Sequence, residues 1–121
     1  IAHPDEIRRY AKDAVPASLL AKWPGALTII VNDGTGGTAA YRCPGDAWLR
    51  AVIAQSGPVY STSVNKSGKP VLEKISDIIE TFEGDVDLII SSGDTSGALP
   101  STIVDISSGT LRVLRQGAVQ V

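Results

Sequence analysis

The segment that most constrains the fold is residues 27–31, Leu-Thr-Ile-Ile-Val, which are β-branched or apolar throughout. β-Branched side chains favour extended backbone, and a strand that is apolar on both faces is typical of the middle of a covered sheet. A central strand needs a hydrogen-bonded neighbour on each side, and a covered sheet needs helices packed against it. We therefore expect further strands and helices on both sides of this segment in the chain.

Hydrophobic spacing along the rest of the chain supplies both kinds of element. Apolar residues three and four apart predict helices over 4–14, 17–22, 46–56 and 73–82. Short β-branched runs bounded by Gly, Pro and Asn predict further strands over 38–42, 59–63, 88–90, 102–106 and 110–114. Short turns join two pairs of strands into hairpins while helices separate the others, which predicts a mixed sheet. The expected fold is a three-layer-like α/β arrangement, with residues 1–121 as a single domain.

Charge and the content of ligand-forming residues exclude several kinds of site. Eleven Lys and Arg against thirteen Asp and Glu give a net charge of −2, so no overall field attracts nucleic acid or anionic membrane. One cysteine, Cys43, and one histidine, His3, cannot build a structural zinc site or a disulfide framework. They also leave no Ser-His-Asp or Cys-His arrangement unless His3 acts as a base, and we expect Cys43 to be a buried small residue.

The sequence also bears on the protein's location. Its apolar runs fall far short of the roughly 20 residues that span a bilayer, and no signal sequence opens the chain. The sequence therefore predicts a cytoplasmic protein that does not span a membrane.

Polar residues interrupt the pattern at three places, where open α/β sheets can bind ligands. These segments are residues 38–42, which Pro44 follows, residues 61–68 and residues 91–101. A run of Ser and Asn after a strand is also the ordinary composition of a loop held by its own side chains, so both interpretations stay open. The glycines at 34–37 lie in a hairpin and the Gly-Lys at 68–69 has no preceding P-loop glycine, which excludes the familiar nucleotide signatures.

Charged side chains near strand ends give two further candidates. Arg42 ends a predicted strand and Arg115 follows the last one, and the planar guanidinium of either can hold a carboxylate through two hydrogen bonds. A solvated strand-end arginine is the alternative for both. Four aspartates are too scattered for a metal cage and are expected to be solvated or to cap local structure: Asp85, Asp87, Asp94 and Asp105.

Five motifs occur in order along the chain. They are Trp23-Pro24-Gly25-Ala26-Leu27-Thr28, Arg42-Cys43-Pro44, Ser63-Val64-Asn65-Lys66-Ser67-Gly68, Pro100-Ser101-Thr102 and Arg115-Gln116-Gly117-Ala118. Together they resemble the YrdC/Sua5/TsaC family, the threonylcarbamoyl-AMP synthases of tRNA modification. Only mild replacements occur within them, Ala26 for the family's second proline and Val64 for its alanine.

Two other motifs of the family, Pro-Thr-x-Thr-x-Tyr-Gly-Leu and Lys-x-Arg, have no counterpart in this chain. The chain thus resembles the C-terminal two thirds of the family's domain, which fits its opening at Ile1 and its lack of any Met. The resemblance implies the YrdC/RibB fold, a twisted mixed sheet with flanking helices, in an N-terminally incomplete form. Enzymatic activity is expected of the intact protein and is left open for this chain alone.

The resemblance also implies a reaction, in which ATP, L-threonine and bicarbonate give threonylcarbamoyl-AMP and pyrophosphate. It places threonine at Arg42, Ser61 and Ser101, with no residue acting as a nucleophile. ATP, arriving with Mg²⁺, would be held by four residues from three segments: Thr38, Ser63, Asn65 and Arg115. Residues 61–68, Arg42, Ser101 and Arg115 are expected to converge on one concave site.

The implied partners are proteins that transfer the threonylcarbamoyl group to tRNA for the t6A modification. One alternative is a non-catalytic module that binds double-stranded RNA or nucleotides, which the net charge of −2 favours less. Another is a carbamoyl-adenylate-forming domain like that of hydrogenase maturation factors, which would require acylphosphatase and zinc-finger segments beside it.

Overall fold

The computed structural model describes all residues, 1–121, which form two compact units. Residues 1–59 and 99–121 make up the first unit, and residues 60–98 make up the second. A 3₁₀ helix, Pro4–Arg9, opens the chain and three α-helices follow: α1 (Ala17–Leu20), α2 (Ala47–Ser56) and α3 (Ile75–Phe82). The strands are β1 (Leu27–Asn32), β2 (Thr38–Arg42), β3 (Thr102–Asp105) and β4 (Arg112–Arg115). None of the helices could cross a membrane.

All four strands belong to the first unit and form one sheet in the order β2-β1-β3-β4. β1 pairs with β2 in antiparallel and with β3 in parallel orientation, and β3 pairs with β4 in antiparallel orientation. The sheet is therefore mixed, β1 is one of its two central strands, and both expected hairpins form. β4 covers residues 112–115 instead of the predicted 110–114, and its register with β3 shifts between Ile103 and Val104.

One face of the sheet carries the core. Leu27, Ile29 and Val31 alternate along β1 and are buried, together with Val104 of β3. Residues from the helical segments and from the loop after β2 complete this core: Ile7, Leu19, Trp23 and Cys43. The opposite face of β1 is only half-buried. We expected both faces of this strand to be buried, but only the core face is.

Helix lengths differ from the sequence prediction where the chain has competing hydrogen bonds. The first helix ends at Arg9 because the Tyr10 N–H bonds to the Ile7 carbonyl and the Lys12 N–H bonds to Asn32 at the end of β1. α2 matches its prediction closely, since the Asp46 carboxylate accepts from the Leu49 N–H and Gly57, at φ +84°, ends the helix.

Residues 60–98 contain α3, as predicted, with the Asp94 carboxylate accepting from the N–H of Ile75 at its first turn. The strands expected over 59–63 and 88–90 are absent, because neither segment has a backbone hydrogen-bond partner. β-Branched residues favour extended backbone locally, but a strand exists only when a second segment pairs with it. Leu88 and Ile90 accordingly remain 73% and 62% exposed.

Candidate functional site

Four polar side chains form a row across one end of the sheet, on the face opposite the core. Thr28 near the start of β1 is the direct cross-strand partner of Arg42 at the end of β2. Ser101 immediately precedes β3, and Arg115 ends β4. Because β2 and β4 run antiparallel to their neighbours, their carboxyl ends meet the amino ends of β1 and β3 at this edge. The topology thus joins residues from four separate motifs.

Hydrogen bonds connect three members of this polar row. The Thr28 and Ser101 hydroxyl oxygens lie 3.0 Å apart. Arg115 donates from Nη2 to Ser101 Oγ at 3.1 Å and from Nε to the Ser101 carbonyl at 3.0 Å. The two hydroxyls are half-buried, whereas both arginines are exposed, so the row has a polar floor between two guanidinium groups.

The positive charge of this row is not neutralised within the protein. Neither Arg42 nor Arg115 forms an ion pair, whereas Arg112 at the other end of β4 pairs with Asp105. Guanidinium groups bind carboxylate and phosphate oxygens through charge-assisted hydrogen bonds. The row can therefore hold an anionic ligand.

Thr102 fixes the segment that follows Arg115. Its fully buried hydroxyl oxygen accepts from the Gly117 N–H at 2.9 Å and the Val119 N–H at 3.1 Å, and its proton goes to the Val119 carbonyl at 2.5 Å. Gly117 lies so close to the chain before β3 that an added Cβ would meet the Pro100 carbonyl oxygen at 2.2 Å. The Pro-Ser-Thr and Arg-x-Gly motifs therefore form one structural element.

Two of these residues were not among the candidates from sequence. Thr28 lies in a strand that is otherwise apolar, so its composition did not suggest a binding residue. Only its position at the end of the Trp-Pro-Gly motif could have indicated a functional role. Thr102 follows the candidate Ser101 directly, but alternation along a strand sends the two side chains to opposite faces. The Ser101 hydroxyl joins the polar row, and the buried Thr102 hydroxyl holds the segment that follows β4.

Thr38 lies on the same face as Arg42 but at the other end of β2. Four residues of extended backbone separate the two, which is a distance of about 13 Å. It pairs with Asn32, next to the turn that joins β1 and β2. Asp33 holds that turn by accepting from the Thr35 N–H and hydroxyl, and these hydrogen bonds lower the pKa of its carboxyl group. The structure does not join Thr38 to the polar row, and its role in binding ATP stays a prediction.

Ser61, Ser63 and Asn65 lie in the second unit. Asn65 donates from its amide to the carbonyls of Lys66 and Lys69, at 3.1 and 3.0 Å, and accepts from the Ser63 hydroxyl at 2.5 Å. These contacts are those of a loop held by its own side chains, the structural interpretation of this segment. All three residues remain candidates for ligand binding, and Ser61 is exposed.

Three of the four scattered aspartates have structural partners. Asp94 bonds to the first turn of α3, Asp85 pairs with Lys66, Asp87 is exposed, and Asp105 accepts from Ser107 and Arg112. Cys43 is buried as expected, and burial raises the pKa of its thiol. No group of three or more His, Cys, Asp or Glu side chains lies close enough together to hold a metal ion.

Comparison with known proteins identifies relatives along almost the whole chain. The Sua5/YciO/YrdC family model, described as telomere recombination, matches residues 1–117. Threonylcarbamoyl-AMP synthase of Pyrococcus abyssi is 32% identical over 115 residues, which are 85% of this chain and 34% of that protein. The chain thus spans about a third of the length of that relative.

Solved structures show the same fold. Escherichia coli YciO superposes with a TM-score of 0.81 at 27% identity, over 96% of this chain and 63% of that one. The P. abyssi Sua5 structure complexed with L-threonine superposes with a TM-score of 0.77 at 30% identity, over 93% of this chain and 37% of that one. The mixed sheet and its helices therefore form a YrdC-like fold.

Proposed function

Because the chain belongs to the Sua5/YciO/YrdC family, we propose that it is part of an L-threonylcarbamoyladenylate synthase that serves tRNA t6A modification. In that reaction the threonine amine and bicarbonate form a carbamate with loss of water, and a carbamate oxygen then attacks the α-phosphorus of ATP. The bond to the β-phosphate breaks and pyrophosphate leaves. Such a step depends on alignment and on neutralisation of charge more than on a protein nucleophile.

The polar row of Thr28, Arg42, Ser101 and Arg115 is the observation that carries this proposal. Two guanidinium groups that form no ion pair lie on either side of two hydroxyl groups. This arrangement suits substrates that carry negative charge at both reacting ends. Arg42 and Ser101 would hold the threonine carboxylate, and Ser61 remains a further candidate for threonine binding.

Arg115 would bind the phosphates or the ribose of ATP, and Thr38, Ser63 and Asn65 remain candidates for ATP binding. Mg²⁺ would enter as the Mg·ATP substrate. The contact between Arg115 and Ser101 would keep the two substrates next to each other. A relative of known structure was solved with L-threonine, which supports the choice of amino acid.

Replacing Arg42 by Lys tests this assignment. A lysine ammonium cannot make the two parallel hydrogen bonds of a guanidinium, so we expect L-threonine to bind about thirtyfold more weakly, or about 2 kcal/mol. Arg9→Lys is the matched control, since Arg9 is exposed and lies outside the sheet. Binding is measured by isothermal titration calorimetry, beside pyrophosphate release that requires ATP, threonine and bicarbonate together.

Two results would contradict the proposal. One is equal threonine affinity for the Arg42→Lys and Arg9→Lys variants. The other is RNA binding with a steep salt dependence and no affinity for threonine, which would favour the RNA-binding module instead.

A further inference from the structure

We propose that Thr28 is a positioning residue, whose hydroxyl turns the Ser101 hydroxyl so that Ser101 donates its proton to an anionic ligand. That the anion is the threonine carboxylate rests on the proposed function. The contact joins residues 73 positions apart, with the two oxygens separated by 3.0 Å.

The number of protons and lone pairs around Ser101 Oγ decides the direction of this hydrogen bond. A serine hydroxyl has one proton and two lone pairs, and an arginine side chain can only donate. Arg115 Nη2 therefore occupies one lone pair of Ser101. If Ser101 gave its proton to Thr28, it could offer a ligand only its remaining lone pair, which a carboxylate oxygen would repel. If Thr28 donates instead, the Ser101 proton is left for the ligand.

Thr28 is held in place to act in this way. It lies inside β1, paired with Arg42 on one side and with Ile103 on the other, and its side chain is half-buried. A β-branched side chain in a strand has few rotamers, so its hydroxyl is fixed once the sheet forms. The resulting chain of donors runs from Thr28 to Ser101 to the ligand, and each hydrogen bond polarises the next.

Two substitutions at this position separate the hydroxyl from the shape of the side chain. Thr28→Val keeps the branched shape and removes the hydroxyl, whereas Thr28→Ser keeps the hydroxyl. We expect the Val variant to bind L-threonine about tenfold more weakly, as the loss of one hydrogen bond to a charged group implies, and the Ser variant to bind within about twofold of wild type. L-Threoninol, which lacks the carboxylate, should bind equally to all three proteins.

The conformation of Ser101 provides a measurement that needs no ligand. Three-bond proton couplings should show a single χ1 rotamer of Ser101 in the wild-type chain and in Thr28→Ser, and averaging in Thr28→Val. Should the Val substitution prevent folding, Thr28→Ala with the same two measurements replaces it, with the same expected losses.

The outcomes distinguish this inference from the proposed function. Unchanged threonine affinity in Thr28→Val, or an averaged Ser101 rotamer in the wild type, overturns the positioning role. An intact protein that binds no threonine contradicts the proposed function, while a Ser101 rotamer that is fixed in wild type and averaged in Thr28→Val would still support the positioning role.

Discussion

Ser101 and Thr102 are neighbours with similar hydroxyl side chains, yet the sheet places them in opposite environments. Ser101 joins the polar row at the surface, and Thr102 is fully buried under the segment that follows β4. The alternation of a strand is enough to produce this division. One residue can thus bind a ligand while the next holds Arg115 in reach of it.

Thr102→Val should destabilise the protein strongly. The valine would leave the partly buried N–H groups of Gly117 and Val119 without this acceptor, and each unsatisfied donor costs about 1 to 3 kcal/mol when it is shielded from water. We expect a loss of about 3 kcal/mol in the free energy of unfolding, measured by urea denaturation. Thr110→Val, at an exposed turn position, is the control and should change it by less than about 0.5 kcal/mol. Equal stability of both variants would show that Thr102 does not hold this segment.

Asp105 should give the protein a distinct acid sensitivity. Hydrogen bonds from the Ser107 hydroxyl and N–H, and then from Arg112, lower the pKa of its carboxyl group from 3.8 to about 2. A carboxyl with a lowered folded-state pKa stabilises the fold above its unfolded pKa and loses that contribution as the pH falls through both values. The stabilisation from Asp105 should therefore be complete above about pH 5 and should disappear towards about pH 2.

Asp105→Asn is the variant that checks this, because an amide does not titrate. Urea midpoints measured between about pH 5 and about pH 2 should fall less steeply for the variant than for the wild type. Parallel curves would mean that the carboxylate is not stabilised in the folded state.

At the scale of single elements, α2 shows how a helix boundary is encoded locally. Asp46 accepts from the Leu49 N–H at 2.9 Å, and Gly57 adopts the positive φ that ends the helix. Both residues act within one turn of the helix, which explains why the predicted and observed boundaries agree.

Asp46→Ala should lower the free energy of unfolding by about 1 kcal/mol, the usual contribution of an N-cap side chain. Asp46→Asn is the matched control, because asparagine caps helices about as well as aspartate. Thermal or urea unfolding followed by circular dichroism measures both. A loss in the Asn variant as large as in the Ala variant would point to the charge instead of the cap.

At the scale of the whole chain, the mixed topology assembles the polar row. Parallel pairing of β1 with β3 and antiparallel pairing of the outer strands bring Thr28, Arg42, Ser101 and Arg115 to one edge. An all-parallel sheet would place the ends of β2 and β4 at the opposite edge from the starts of β1 and β3. The row therefore depends on strand directions as much as on residue types.

Local features of this protein could be predicted from its amino-acid sequence: the hairpin around residues 32–38, the limits of α2 and the extended backbone of β1. Caps, turn residues and side-chain periodicity act between residues close in the chain, so the pattern that encodes them can be read directly. Through their resemblance to a family, the motifs also predicted one ligand site that includes Arg42, Ser101 and Arg115.

Which distant segments pair or contact each other could be seen only in the folded structure. It left residues 59–63 and 88–90 unpaired although their composition favours strands, and it placed Thr28 against Ser101. It also buried Thr102 as the anchor for the segment after Arg115. Strand pairing and side-chain contacts join residues distant in sequence, and local conformational preference does not specify which distant partner a segment will find.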